Sequence, residues 1–263
     1  ADETPVAMLD PGAGKTKRAY VWSYCTTVYD TLQGVVYDFA ESRAGQHAKE
    51  FIGEWKGVLV CDNYSGYKQL LTQGVVDAGC LAHSRRKFFD LYANHQSQIA
   101  AAALPFYSHL YQIEKRAMDL TADERRQLRQ RESRPIAEAL LAWMVAQRKL
   151  VHEGSAIAKA IDYSVNRWEA LMRFLDDGDI PIDNNWNENR IRPIAQGRSA
   201  WLFAGSLRAG KRGAAIMSLI QSAKLNGHYP YAYLKDVLTR LPTQPASRIE
   251  ELLPHLWQNS ATR

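Results

Sequence analysis

Cysteine is scarce in this chain of 263 residues, with Cys25, Cys61 and Cys80 as its three thiols. Three unevenly spaced cysteines cannot build a disulfide framework, so the sequence predicts a protein of a reducing compartment. No apolar run approaches the roughly 18 residues that a membrane-spanning helix needs, and no signal peptide opens the chain. The sequence begins at Ala1 without an initiator Met, and we expect that an N-terminal part precedes it.

Two familiar catalytic motifs are also missing. The sequence has no Gly-x-Ser-x-Gly segment, so nucleophilic catalysis by a Ser-His-Asp triad has no support. Residues 12–16 resemble a phosphate-binding loop, but the Walker pattern needs a glycine at the position of Leu9. We therefore interpret residues 12–16 as a basic hairpin loop.

Acidic residues are missing from one long stretch of the chain. The whole chain is mildly basic, with 33 Lys and Arg against 28 Asp and Glu and a sequence pI of about 9.0. This balance favours a polyanionic partner. Between residues 189 and 213 there is no acid, and the cations are Arg190, Arg192, Arg198, Arg208, Lys211 and Arg212.

A helix-start signal precedes this basic stretch. Residues 183–187 are rich in Asp and Asn, and Glu188 follows Asn185 by three positions, as in a capping box. One interpretation is a helix capped by Asn184 or Asn185, with a Glu188–Arg192 pair worth roughly a few tenths of a kcal/mol. The other is a carboxylate that holds a metal ion beside nucleic-acid phosphates.

The first third of the chain predicts a mixed α/β sheet. The continuous apolar run at residues 57–61 is typical of a buried central strand. Aromatic and β-branched residues mark the other strands, and helical spacing marks the segments between them. The predicted strands are residues 4–9, 20–28, 32–39, 57–61 and 75–81, and the predicted helices are residues 44–55 and 67–71.

The middle and the end of the chain are helical in pattern. Residues 85–175 contain prolines only at positions 105 and 135, and we interpret the arginines at 125–134 as a solvated helix face, because acids are interleaved. Further helices are predicted at residues 214–225, 231–241 and 249–257. The predicted divisions are a core in two parts at 1–97 and 176–226, a helical insertion at 98–175 and a helical C-terminal element at 227–263.

Acidic residues occur where α/β proteins bind ligands. Asp62 follows the predicted central strand, and in open sheets ligands gather at the carboxyl ends of strands. Asp2 stands at the start of the first strand, which is a weaker indication. With Glu188 these acids offer hard oxygen ligands for Mg²⁺ or Mn²⁺. Two such ions about 3.5–4 Å apart can catalyse a phosphodiester displacement. The alternatives are a turn formed by Asp62 with Asn63 and a polar chain end at Asp2.

Two other pairs of residues have alternative interpretations. Cys80 and His83 can supply two zinc ligands, or His83 can move a proton beside the carboxylates, or it is an ordinary hydrogen-bonded histidine. Trp201 and Phe203 interrupt the basic stretch and can stack on bases. The apolar sequence of residues 200–204 favours burial instead.

Several motifs of this chain occur together, in this order, in one protein family. They are Asp-Glu-Thr-Pro-Val at 2–6, Cys-Asp-Asn-Tyr-Ser-Gly-Tyr at 61–67, Gly-Cys-Leu-Ala-His-Ser-Arg-Arg-Lys-Phe at 79–88, Ile-Asp-Asn-Asn-Trp-Asn-Glu-Asn-Arg-Ile-Arg-Pro at 182–193, Trp-Leu-Phe-Ala-Gly-Ser at 201–206, Ala-Lys-Leu-Asn-Gly at 223–227 and Glu-Leu-Leu-Pro at 251–254. Over its whole length, the chain resembles the bacterial DDE transposases of the insertion-sequence-66 type.

The resemblance implies a fold and a site. The fold is α/β, a ribonuclease-H-like mixed sheet flanked by helices, with an all-helical insertion and a helical C-terminal tail. Asp2, Asp62 and Glu188 would bind two Mg²⁺ or Mn²⁺ ions, and His83 would act close to them. The chain departs from the family pattern at Asn189, where Arg commonly follows the Glu, and at Asn63, where Gly is common. All three acids are retained, so the expected metal ligands are unaffected.

The resemblance also implies an activity and partners. The activity is that of a transposase catalytic domain, which hydrolyses phosphodiesters at transposon ends and joins the freed 3′-hydroxyl to target DNA. The alternatives are a ribonuclease-H-like nuclease without strand transfer and an inactive DNA-binding remnant. We expect a homo-oligomer on DNA, companion proteins from the same element, no membrane association, and a place at the nucleoid of the bacterial cytoplasm. The expected DNA contacts are Arg85, Arg86, Arg190, Arg192, Arg198, Lys211 and Arg212.

Overall fold

Six strands and eleven α-helices occur in residues 1–258, the part of the chain that the computed structural model describes. The strands are β1 (Asp2–Asp10), β2 (Lys15–Cys25), β3 (Val35–Ala40), β4 (Val58–Cys61), β5 (Val76–Gly79) and β6 (Phe203–Ala204). The helices are α1 (Gly45–Ile52), α2 (Lys68–Leu71), α3 (Leu81–His95), α4 (Gln98–Ala117), α5 (Ala122–Leu128), α6 (Arg134–Arg148), α7 (Ala156–Asn166), α8 (Trp168–Met172), α9 (Asn185–Trp201), α10 (Leu207–Leu225) and α11 (Pro230–Arg240).

These elements fall into two units. The sheet unit comprises Ala1–Trp55, Ser65–Gln73 and Trp186–Arg263. The helical unit comprises Lys56–Tyr64 and Gly74–Asn185.

A four-stranded sheet in the order β3-β2-β1-β6 forms the centre of the sheet unit. β1 and β2 make a long antiparallel hairpin, β3 continues the antiparallel pattern, and β6 pairs with β1 in parallel. Gly12 and Gly14 have positive φ angles at the tip of the hairpin, a conformation that glycine adopts at no steric cost. The tip lies within the basic hairpin loop predicted at residues 12–16.

One face of this sheet carries the apolar core of the unit. Side chains alternate between the two faces of a strand, and Val6, Met8, Val21 and Phe39 are buried on the same face. Helix α10 covers it so closely that a Cβ atom on Gly210 would lie 2.4 Å from the Phe39 ring. Glycine at position 210 therefore permits this helix to pack directly on β3.

The helical unit combines a two-stranded parallel sheet with a bundle of helices. β4 and β5 pair in register from Val58 opposite Val76 to Cys61 opposite Gly79. The helices α3, α4, α6 and α7 bury a large shared core. Its biggest members include Phe88, Tyr107, Leu140 and Ile161.

The prediction that the arginines at 125–134 form a solvated helix face is wrong for two of them. Arg129 is fully buried, pairs with Glu114 at 2.6 Å and donates to the Phe174 carbonyl at 2.8 Å. Arg125 is 4% exposed and donates to the Gly178 carbonyl. The interleaved acids on which the prediction depended do not decide exposure, because both guanidinium groups find buried partners in backbone carbonyls and, for Arg129, in the Glu114 carboxylate.

The end of the sheet unit is a small cluster around α11. Tyr233, Val237, Leu252 and Trp257 are its buried members. A 3₁₀ helix at Ala246–Leu252 replaces the α-helix predicted at residues 249–257. Pro254 accounts for the difference, because it removes a backbone donor and restricts the residue before it to extended conformations.

The mixed α/β composition predicted from the sequence is confirmed, with differences at the ends of elements. β2 begins at Lys15 instead of residue 20, since pairing with β1 extends its polar end. The strand predicted at 75–81 ends at Gly79, and Leu81 already begins α3. α10 begins at Leu207 instead of residue 214, because the Ser206 side chain caps it. Within residues 1–258, no helix is both long enough and apolar enough to span a membrane.

Candidate active site

Asp2, the first residue of β1, is half-buried and has a perturbed pKa. Its Oδ1 accepts a hydrogen bond from the backbone N–H of Glu3 at 2.9 Å. Burial, followed by the negative charges of Glu3 and Glu188, raises the pKa of Asp2 to about 7. A carboxyl group in such surroundings is a functional-site candidate, because its ionised form is unfavourable until a cation compensates it.

Glu3, the neighbour of Asp2, belongs to a different set of contacts. Successive side chains of a strand point to opposite faces, so the two acids lie on different sides of β1. The Tyr67 hydroxyl donates to Oε2 of Glu3 at 2.8 Å, and Nε of Arg43 donates to Oε1 at 2.7 Å. Glu3 therefore has its charge compensated within the sheet unit, and Asp2 is the candidate ligand of the two.

Glu188 lies in the first turn of α9 and is half-buried. The preceding residue, Asn187, is 2% exposed and fixes this turn to β2. Ser23 Oγ donates to Asn187 Oδ1 at 2.8 Å, and Asn187 Nδ2 donates to the Ser23 carbonyl at 3.3 Å. In the register of the hairpin Ser23 is opposite Asp2. This contact places the turn that carries Glu188 at the Asp2 end of the sheet. Sequence reasoning did not identify Asn187.

The start of α9 depends on Asp183. Oδ1 of Asp183 accepts the backbone N–H of Asn185 at 2.9 Å, and Oδ2 accepts the side-chain amide of Asn185 and the hydroxyl of Tyr111, each at 2.7 Å. The sequence predicted capping by Asn184 or Asn185. The structure adds two residues at this helix start: Asp183, at the backbone of Asn185, and Tyr111, which no sequence signal indicated.

Asp62 follows β4 in the helical unit, as the sequence predicted, and is half-buried. Its Oδ1 accepts the backbone N–H of Tyr64 at 2.8 Å. This is an Asx-turn, the alternative interpretation of the motif. A turn of this kind uses one carboxylate oxygen and orients the group, so it is compatible with a ligand role.

Cys80 and His83 lie at the start of α3 in the helical unit. Cys80 is buried, and its Sγ accepts the backbone N–H of Asn184 at 3.2 Å. The next N–H, that of Leu81, donates to the Ile182 carbonyl at 3.1 Å. Cys80 therefore helps to hold residues 182–184 against the start of α3. His83 is half-buried one turn into the helix.

The predicted DNA-binding cations differ in their surroundings. Arg190 stacks on the Trp186 ring at 4.1 Å, and a terminal nitrogen of Arg198 donates to Thr4 Oγ1 at 3.1 Å and to the Pro5 carbonyl at 2.7 Å. Arg198 thus ties α9 to β1. The exposed members of the set are Arg85, Arg86, Arg192, Lys211 and Arg212.

The predicted burial of residues 200–204 is wrong. Trp201 is 44% exposed, Leu202 64% and Phe203 43%. The chain reverses at Leu202, which has a φ of 63°, and β6 is only two residues long. So short a strand leaves the apolar side chains around it uncovered.

The comparison with known families decides which family the chain belongs to. A family model described as "Transposase IS66 family" matches residues 1–212. The chain belongs to this family. A second model, the "IS66 C-terminal element", matches residues 218–255, which include α11. The resemblance inferred from the sequence motifs is confirmed.

Relatives of this IS66-family chain occur in Sinorhizobium fredii (strain NBRC 101917 / NGR234). The chain is 36% identical over 269 residues to "Uncharacterized protein y4qI", covering 97% of this chain and 50% of that protein. It is 35% identical over 271 residues to "Uncharacterized protein y4jD", covering 98% and 53%. The chain thus spans about half the length of these curated relatives. No solved structure matches it.

In the IS66-family chain, the sheet unit brings together two of the predicted acids. Asp2 and Glu188 are 186 positions apart in the sequence, yet the charge of Glu188 contributes to the raised pKa of Asp2. Asp62 and His83 belong to the helical unit, each close to the start or end of an element, as their motifs predicted.

Proposed function

We propose that this chain is the catalytic domain of a transposase that hydrolyses phosphodiesters at transposon ends and joins the freed 3′-hydroxyl to target DNA. The family supports the reaction class. The observation that carries the proposal is the acidic pair of Asp2 and Glu188, two carboxylates on different elements, of which the charge of Glu188 contributes to the raised pKa of Asp2. In such a pair a divalent cation restores the balance of charge.

The donors fit Mg²⁺ or Mn²⁺. Both ions prefer carboxylate oxygens, and a half-buried acid with a pKa of about 7 is ready to exchange its proton for a metal ion at neutral pH. Asp2 and Glu188 would hold the metal, and the family motif assigns Asp62 to the same role. When bound, one or two such ions lower the pKa of the attacking water or 3′-hydroxyl and stabilise the leaving oxygen.

The protein's own residues would position the groups that react. Asp2 is fixed by the pairing of β1 with β2, and Glu188 by the contacts of Asn187 with Ser23. Arg192 is exposed near Glu188 in sequence and would neutralise phosphates of the bound strand, as would Lys211 and Arg212. The reaction would be an in-line displacement without a covalent enzyme intermediate, and we assign His83 to phosphate contact or proton movement.

We also propose a ribonuclease-H-like core. The order of elements supports it: an antiparallel meander of three strands, then a helix, a strand, a short helix, a strand and a long helix. The first acid opens the meander, and the second follows the fourth strand, where ligands gather in α/β proteins. Because cleavage and joining act on two transposon ends, we further propose that the protein works as a homo-oligomer on DNA, with companion proteins from the same element.

A strand-transfer assay tests the proposed reaction. The full chain is incubated with Mg²⁺, a target plasmid and a duplex that carries the end sequence of its element, either uncut or precut. We expect cleavage and joining by the wild type, and losses of at least about a hundredfold in Asp2→Asn and Glu188→Gln. Asp10→Asn, at the opposite end of β1, is the matched control and should retain activity.

Two other outcomes would replace the proposal. Cleavage of uncut ends without joining of precut ends indicates a nuclease of the same fold. Tight DNA binding by the wild type with neither product indicates an inactive DNA-binding remnant. In both cases the family assignment would stand, and the proposed joining reaction would be wrong.

A further inference from the structure

Three consecutive apolar side chains are exposed between α9 and β6. Trp201, Leu202 and Phe203, here called the aromatic turn, expose 44%, 64% and 43% of their surfaces. Exposed apolar residues are ordinary when they are scattered, but a contiguous group commonly marks an interaction site. The proposed reaction uses none of these three residues.

The aromatic turn has a defined conformation. Leu202 has a φ of 63°, a rare value for a residue with a branched side chain, and its N–H donates to the Arg198 carbonyl at 2.9 Å. Gly197 makes room for the Trp201 indole, because a Cβ atom at position 197 would lie 2.6 Å from Nε1. Phe203 is fixed by its pairing with Ala7 of β1. The backbone therefore holds both rings at the surface.

A cation shares the sheet face of Phe203, and others follow the aromatic turn in the sequence. Helix α10 packs on the Phe39 face of the sheet, so its exposed cations lie on the other side of the sheet from Phe203. Across the sheet, Ala7 is opposite Phe203 on one side and Arg18 on the other, which places the Phe203 and Arg18 side chains on one face. Within residues 1–258 the following cations have no ion-pair partner: Arg18, Arg208, Lys211 and Arg212.

We propose that the aromatic turn stacks on unpaired nucleobases of DNA. The proposal rests on the proposed function, since a DNA end whose two strands are cut at different positions carries unpaired bases. Every base has a π-face that an aromatic ring can cover, and Arg18, on the sheet face of Phe203, suits a phosphate of the same strand. Single-stranded DNA offers both groups at once.

The charge around the turn argues against a second copy of the chain as its partner. In a symmetric dimer the same surface meets itself. Arg18 would then face its own copy, which is unfavourable, and residues 189–213 offer no acid to compensate it. A polyanion with exposed aromatic faces meets both requirements of this surface.

Fluorescence anisotropy with the full chain tests the proposal on two labelled probes, a 20-nucleotide single strand and the matching duplex, over a range of salt concentrations. We expect Trp201→Ala and Phe203→Ala each to weaken single-strand binding by roughly 5- to 150-fold without changing the salt dependence. Duplex binding should change by less than about twofold. Trp201→Phe should restore most of the affinity, because it restores the stacking surface.

Trp55→Ala is the matched control, since the Trp55 indole is 49% exposed and lies outside the basic stretch. Its affinity for both probes should equal that of the wild type. Thermal unfolding of each variant checks that the fold is retained. A loss of single-strand affinity that Trp55→Ala reproduces would overturn the proposal.

The remaining outcomes separate this inference from the proposed function. If the wild type binds both probes and the turn variants bind equally well, the inference is wrong and the transposase proposal stands. If the wild type binds neither probe, the proposed function itself fails. If the turn variants keep full affinity but sediment as smaller species, the turn is a self-association surface and the nucleobase proposal is wrong.

Discussion

At the acidic pair of Asp2 and Glu188, the sequence predicts some of the residues that form the site and misses others. Asp2 and Glu188 were identified by motif, but their pairing came from resemblance to a family, because nothing in the sequence relates two residues 186 positions apart. Asn187 was missed for a different reason. A buried amide beside a helix cap has the same sequence signature as a surface one, and only its contact with Ser23 distinguishes it.

The raised pKa of Asp2 predicts a pH-dependent stability in the absence of metal. The folded-state pKa is about 7 and the ordinary value is 3.8. The stabilising contribution of the protonated group is therefore complete below about pH 4 and is lost as the pH rises through 7. At pH 8 the loss amounts to at most about 4 kcal/mol. We expect the Tm of Asp2→Asn to exceed that of the metal-free wild type increasingly from pH 5 to pH 8.

Divalent metal should cancel this difference. Addition of Mg²⁺ at pH 8 should raise the Tm of the wild type, because an ion that binds the folded state stabilises it, and it should leave Asp2→Asn nearly unchanged. Asp10→Asn should follow the wild type in every condition. Parallel pH profiles for the wild type and Asp2→Asn would show that Asp2 is not perturbed.

Individual elements differ in how far the sequence determines them. The apolar run that predicts β4 is confirmed within one residue, since burial imposes such a run directly. The start of β2 was not predictable from its polar residues, because only the pairing with β1 makes Lys15–Arg18 a strand. The exposed turn at Trp201 was mispredicted because apolar composition indicates burial only when another element is present to cover it.

The start of α9 should depend on the hydroxyl of Tyr111. Burial and the neighbouring Asp183 carboxylate raise the pKa of Tyr111, so the hydroxyl stays protonated. It donates a hydrogen bond to Asp183. Tyr111→Phe removes this donor, and we expect a loss of about 1.5–3 kcal/mol in unfolding free energy, the usual value for a hydrogen bond to a charged group. Amide hydrogen exchange at Asn185–Glu188 should become faster.

The hydroxyl of an exposed tyrosine supplies the control. Tyr92→Phe alters α3 at a residue that is 44% exposed and should leave both stability and exchange unchanged. In the strand-transfer assay, Tyr111→Phe should lower kcat more than DNA affinity, because Tyr111 acts only by orienting the helix that carries Glu188. If amide hydrogen exchange at Asn185–Glu188 is unchanged in Tyr111→Phe, Asp183 holds the start of α9 without the tyrosine hydroxyl.

At the scale of the whole molecule, charge and apolar surface are distributed unevenly. The net charge of +5 is modest, yet residues 189–213 contain six cations and no acid. Composition alone predicts a weak preference for polyanions. It could not predict which cations are available, because that depends on contacts such as those of Arg198 with Thr4 and Pro5. These contacts divide the basic stretch into cations that hold the fold and cations that face solvent.

This division predicts two classes of arginine and lysine variants. Arg192→Ala, Lys211→Ala and Arg212→Ala should each reduce the slope of log K against log salt for duplex DNA by about 0.9, since each removes one phosphate contact. Arg198→Ala should instead cost about 1–2 kcal/mol of stability, because it breaks charged hydrogen bonds to β1, and should change the slope little. Anisotropy titrations at several salt concentrations, with thermal unfolding, distinguish the two classes. Equal slopes for all four variants and the wild type would mean that DNA binds elsewhere on the chain, since cations that neutralise phosphates cannot be removed without changing counterion release.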